Sequence, residues 1–156
     1  MPVPDFLLAL RDHVGHGLLP LVGVTGVVIG ENGDILLHRR ADDGRWAAPG
    51  GILEPGEQPA RAVVREVWEE TGLEVEVERL ASVVGQEPHT YPNGDRVQFL
   101  DLAFRCRVVG GAPDAGGDET LEVRWFPPDA LPDMSQRVLD RIANARADDP
   151  APYFVV

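Results

Sequence analysis

The sequence predicts an α/β protein, a mixed β-sheet layered between helices. Three observations carry this reading. Apolar residues recur at helical spacing in three segments, near the start, the middle and the end of the chain. Between them lie runs rich in Val, Ile, Leu and Phe, bounded by Asn-Gly and Gly-rich turns, which read as strands. At 156 residues and 44% hydrophobic, the chain is one domain by size, long enough to bury about 70% of its unfolded surface. No repeat or second domain is visible.

Residues 4–17 read as an amphipathic helix with Phe6, Leu7, Leu10 and Val14 on one face, ended by Gly15 and Gly17. So small a face suits a cap on the domain's own sheet or a homodimer contact equally well. His13 and His16 are expected to face solvent. Residues 18–29 form a central strand, Asn32-Gly33 a hairpin turn, and residues 35–40 the returning strand. Trp46 packs beneath the following loop. After Pro49-Gly50-Gly51 a helix starts near Gln58 or Pro59, since Pro is tolerated in a first turn. Its Ala60, Val63, Val64, Val67 and Thr71 share an apolar face.

Residues 74–84 alternate as a strand, and residues 86–95 connect through a second turn at Asn93-Gly94. His89 and Tyr91 read as exposed loop residues there. The strand at 96–108 sets Leu100, Leu102, Phe104, Cys106 and Val108 on one face, and Val97, Phe99, Asp101, Ala103 and Arg105 on the other. Cys106 is thus a buried small hydrophobe. A Gly-rich acidic loop at 110–118 precedes a strand at 120–126 and a turn of helix at 127–131. The closing helix at 134–145 turns Val138, Leu139, Ile142 and Ala145 inward. The Pro-rich tail is expected to be loosely held.

Charge narrows the function. With 14 basic against 26 acidic residues the net charge is −12. That lacks the basic footprint of a nucleic-acid or anionic-membrane binder. Cys106 is the lone cysteine, so neither an intrachain disulfide nor a thiolate metal cluster is available. With no signal-peptide layout and no apolar run near ~18 residues, a soluble cytoplasmic protein is expected.

One feature does not suit a solvated helix face. Glu66, Glu69 and Glu70 stand at i, i+3 and i+4, so three like charges crowd one stripe. Two of them lie near the helix C-terminus, where the macrodipole disfavours anions. The preceding glycines let backbone approach a ligand closely. Carboxylates are the hard ligands Mg²⁺ prefers, usually beside substrate phosphates. The residues therefore point to a divalent-metal site for a phosphorylated ligand.

The same stretch resembles the signature of the Nudix hydrolases, G-x5-E-x7-R-E-U-x-E-E-x-G-U, at Gly51, Glu57, Arg65, Glu66, Val67, Glu69, Glu70, Gly72 and Leu73. Seven fixed letters at about 7% usage each make a chance match of order 10⁻⁸ per starting position. The resemblance implies an α/β/α sandwich over residues 18–147, with residues 1–17 as a helical extension and 148–156 as a tail. It implies Mg²⁺, with Mn²⁺ as a substitute, held by Glu66, Glu69 and Glu70, with the Gly51 backbone also able to contact metal or phosphate. Gly50 stands beside it in the substrate-facing turn. Arg65 is an orienter of the carboxylates, and Glu57 supports from behind or through water. Arg40 first, and Arg39 second, would contact substrate phosphates. Glu119, ahead of Asp118, is the candidate for a further metal ligand or the general base, a role also open to Glu66 and Glu69.

The implied reaction is hydrolysis of a phosphoanhydride by in-line attack of water. The expected substrate is a nucleoside diphosphate linked to another moiety, such as ADP-ribose, from the likeness of the Tyr91–Asp95 segment to bacterial members assigned to such substrates. The alternatives are pyrophosphohydrolysis of a nucleoside triphosphate and a non-catalytic nucleotide sensor. Isoprenoid diphosphate isomerase is discounted, because no cysteine precedes residue 106.

Overall fold

The computed structural model describes residues 3–115 and 117–156; Gly116, within the Gly-rich loop foreseen at 110–118, lies outside them. The chain runs α1 (Asp5–Val14), β1 (Leu19–Val28), β2 (Ile35–Arg40), β3 (Trp46–Ala47), β4 (Gly50–Ile52), α2 (Pro59–Thr71), β5 (Leu73–Gly85), β6 (His89–Thr90), β7 (Arg96–Gly111), β8 (Thr120–Phe126), α3 (Gln136–Arg146) and β9 (Tyr153–Phe154). The predicted α/β class and its mixed sheet between helices hold. The strands, however, divide into two sheets. One has the order β4-β1-β7-β5-β9 with β6 on β7, and the other the order β3-β2-β8.

The division corrects the expected hairpin at residues 18–40. Its turn is present, with Gly33 at φ 88° and Asp34 held by Asn32. Beyond one bridge between Ile29 and Ile35 the two strands diverge. β1 pairs in parallel with β7, while β2 pairs antiparallel with β8. Glycine-lined β4, too short to show periodicity, completes the edge of the larger sheet beside β1.

Helices cover both faces, which is why β1 is apolar almost throughout. On one side α2 buries Ala62, Val63 and Val67 against Val24, Val28, Phe104 and Cys106. The approach is close enough that a side chain at Gly26 would meet Val67 at 2.8 Å. On the other, α3 buries Val138, Ile142 and Ala145 against Val27, Leu37 and Ala81; Leu139 is only half-buried. Residues 127–130 form a turn and not the expected turn of helix. α1 caps the sheet end through Leu7, against Leu19, Leu21 and Val97. Leu10 and Val14, expected on that inner face, are exposed. His16 is exposed as expected, yet it reaches Asp95 at 2.8 Å and holds that carboxyl below the usual range. The tail also departs from expectation, since β9 pairs in parallel with β5 at Ser82 and Val83.

Candidate active site

The acid cluster sits where α2 passes under the Gly50-Gly51 strand. Two glycines are needed there for steric reasons. A Cβ on Gly50 would fall 2.2 Å from the Val24 carbonyl oxygen, and one on Gly51 would fall 2.2 Å from Glu66 Oε1. α2 ends on Gly72 in the left-handed conformation, φ 71°, where its N–H donates to the Trp68 carbonyl.

The three glutamates are not equivalent. Glu66 and Glu70 are buried, 6% and 5% exposed, whereas the Glu69 side chain is half in solvent. The buried face of α2 therefore includes two carboxylates that the apolar periodicity had set apart. Glu70 Oε2 accepts the Gly50 N–H at 2.8 Å. Burial outweighs that bond and, with the Glu66 charge, pushes the Glu70 carboxyl up to about 8. Burial also raises Glu66, against the pull of Arg65.

Arg65 is the cation among these anions. Its Nε and Nη2 donate to both Glu57 oxygens at 2.9 Å, a bidentate pair that holds Glu57 below the usual range. Its Nη1 donates to Glu66 at 2.8 Å and to Glu69 at 3.3 Å. Among the described residues no three acidic or imidazole side chains already converge as a metal cage. The donor set nonetheless suits a hard divalent ion. It offers buried carboxylate oxygens that a nearby cation would ionise, beside a backbone with no side chain in the way.

Of the two arginines ending β2, Arg40 lies within electrostatic reach of Glu70 and is paired with Asp42, and with Asp43 at 3.8 Å. Asp42 is pulled down to about 2 by that hydrogen bond. Arg39 is corrected. Its nearest carboxylate is Glu122, at 3.9 Å on β8, and no contact among the described residues brings it to the glutamates. Glu119 is half-buried; its carbonyl accepts the Ala41 N–H at 2.9 Å, and its charge helps to raise both Glu66 and Glu70. Asp118 is exposed.

His38 and Asp101 were given no role by the sequence. His38 is 2% exposed, with Nδ1 at 3.1 Å from Thr120 Oγ1 and Nε2 at 3.5 Å from Glu70 Oε2. Burial, then Arg40, lowers its pKa to about 4, so it is neutral near pH 7. Asp101 accepts two bonds of 2.6 Å from Arg141 on α3. The available signal was a carboxylate between Leu100 and Leu102 in one case and an imidazole directly after Ile35-Leu36-Leu37 in the other.

The model of the NUDIX domain matches residues 19–146, from the start of β1 to the end of α3. The chain belongs to the Nudix family. It is 43% identical over 119 residues to a MutT-like protein of Streptomyces ambofaciens, covering 76% of this chain and 70% of that one. It is 36% identical over 120 residues to an ADP-ribose pyrophosphatase of Methanocaldococcus jannaschii, covering 76% and 68%. A crystal structure of an ADP-ribose pyrophosphatase from Streptococcus suis superposes with a TM-score of 0.69 at 25% identity, over 88% of this chain and all of that one. This Nudix protein is accordingly a hydrolase of phosphoanhydride bonds in nucleotide derivatives. No helix among its described residues is long and apolar enough to cross a membrane.

Proposed function

We propose that the protein hydrolyses the pyrophosphate bond of a nucleoside diphosphate linked to another moiety, of the ADP-ribose or nucleotide-sugar kind, in a reaction that depends on Mg²⁺. The observation that carries this reading is the buried pair Glu66 and Glu70, pressed on the side-chain-free Gly50-Gly51 strand and braced by Arg65. Glu66, Glu69 and Glu70 would hold the divalent ion, with the Gly51 backbone and Glu119 beside them. The ion, when bound, supplies charge neutralisation and Lewis acidity at the phosphate oxygens.

The chain supplies positioning. Arg65 keeps Glu57 fixed through its bidentate pair while its Nη1 orients Glu66 and Glu69. The Gly50 N–H fixes one Glu70 oxygen. Arg40, its fork turned toward acidic partners, would meet the diphosphate. Glu119 has no side-chain hydrogen bond among the described residues and is our choice for the group that accepts the proton of the attacking water. A neutral His38 behind Glu70 supports the carboxylate without repelling a cation.

The test is a panel of nucleotide-linked diphosphates and nucleoside triphosphates assayed with Mg²⁺ or Mn²⁺, beside Glu69→Gln and Glu70→Gln. Both variants are expected to lose at least about 100-fold in kcat while keeping their melting transitions. Near-normal rates from them would remove the mechanism.

A further inference from the structure

His38 and Thr120 break the polarity of the strands they sit on. Ile35, Leu36 and Leu37 are fully buried, and the run they begin calls for a fourth aliphatic side chain at the next buried position. An imidazole stands there instead. On β8 the polarity is reversed, with Thr120 4% exposed and the neighbouring Leu121 52%. The cause is a β-bulge. His38 pairs with Val123 and Arg39 with Glu122, but Arg40 pairs with Thr120, so Leu121 is the extra residue. In an unbroken register Leu121 would face inward opposite Arg40, and Thr120 would turn outward. Bulges re-aim side chains in this way, and they gather beside active sites.

The re-aimed hydroxyl meets the ring. Thr120 Oγ1 lies 3.1 Å from His38 Nδ1, and His38 Nε2 lies 3.5 Å from Glu70 Oε2. A neutral imidazole carries one ring hydrogen. With the Thr120 hydroxyl donating to Nδ1, that hydrogen sits on Nε2 and faces Glu70. Glu70 Oε2 then has two donors before it, the Gly50 N–H at 2.8 Å and the imidazole at longer range. Its Oε1 makes no hydrogen bond among the described residues. The same strand ends hold Glu119, whose carbonyl accepts the Ala41 N–H at 2.9 Å and whose next residue is Thr120. One ring of β2 thus spans from β8 to α2 at the acid cluster.

Packing alone does not account for the ring. A buried imidazole costs free energy that a leucine or valine would not, unless its nitrogens are used. Resting on the divalent-metal reading above, we propose that Thr120 and His38 are positioning residues for Glu70. Thr120 sets the tautomer, His38 holds Oε2 on the protein side, and Oε1 is left for the ion. At 3.5 Å the contact is long for a hydrogen bond. A carboxylate that gains its full charge beside a cation would draw the Nε2 hydrogen closer, since charge-assisted bonds are the shorter ones. Neither residue acts on the phosphates themselves.

The experiment titrates Mn²⁺ into metal-stripped, dialysed protein without substrate, reading free Mn²⁺ by its electron paramagnetic resonance. Wild type is set beside three variants. His38→Leu fills the space without a donor, His38→Gln restores an N–H near Nε2, and Thr120→Val exchanges only the hydroxyl for a methyl. Thermal melts of the metal-free proteins accompany each. His38→Leu should keep its melting transition yet bind Mn²⁺ about tenfold more weakly, and Thr120→Val should weaken binding about threefold or more. His38→Gln should recover most of the loss. Wild-type affinity in His38→Leu overturns the assignment. So does a glutamine no better than the leucine, which would leave His38 a packing residue. If His38→Leu does not fold, Thr120→Val decides, and wild-type affinity there overturns the assignment. A wild type that binds no Mn²⁺ overturns the divalent-metal reading and this assignment with it, whereas a wild type that binds it no better than the variants overturns this assignment alone.

Discussion

Glu70 accepts a backbone N–H, which favours its charged form, but lies in a desolvated pocket beside Glu66, which favours the neutral one. With its folded pKa at about 8 against an ordinary 4.5, the metal-free protein binds one more proton than the unfolded chain between those values. Stability from this group is therefore fully present below pH 4.5 and lost as pH rises through about 8. His38 slopes the other way, because its folded pKa of about 4 lies below the ordinary 6.5, so stability is lost as pH falls between them. The window from 6.5 to 8 isolates Glu70. Urea unfolding in EDTA should show stability falling across that window, and Glu70→Gln should flatten the fall. A flat wild-type profile would refute the buried-acid account. Binding of Mg²⁺ should release protons in the same window, measurable as a buffer-dependent heat.

At the scale of elements, the approach of α2 to β1 is set by Gly26. The ideal Cβ position lies 2.8 Å from Val67 and 3.0 Å from Val63, both fully buried. Gly26→Ala should overpack this contact and cost about 1–3 kcal/mol in denaturant unfolding. Because α2 carries Glu66 and Glu70 on the same buried side, the variant should also weaken Mg²⁺ binding, read as a smaller Mg²⁺-induced rise in Tm. An unaltered Mg²⁺ shift would mean that the acid pair does not depend on how α2 seats. The helix itself was legible from residue periodicity and from Gly72. The burial of its glutamates was not, since a 3.6-residue pattern records polarity and not what lies opposite.

For the whole molecule, the Asp101–Arg141 pair ties α3 to the middle of the larger sheet, 40 residues away in sequence. Asp101 is 3% exposed, so Arg141→Met would leave a buried carboxylate without its partner, at a cost of about 3–5 kcal/mol. Adding Asp101→Asn should recover much of the loss; if the double variant is no more stable than the single one, the pair is not what joins the layers.

The sequence alone determined the family, the α/β class, most strand and helix positions and the composition of the acid cluster, because motif spacing and hydrophobic period are local properties of the chain. Only the tertiary structure decided that β1 and β2 part into different sheets, that the tail returns as β9, and that Glu66 and Glu70 are buried beside the Gly50-Gly51 strand. It also brought His38 behind Glu70 and separated Arg40 from Arg39. Each of these depends on pairing between residues far apart in the chain. Neither register nor desolvation is written in the order of neighbouring residues.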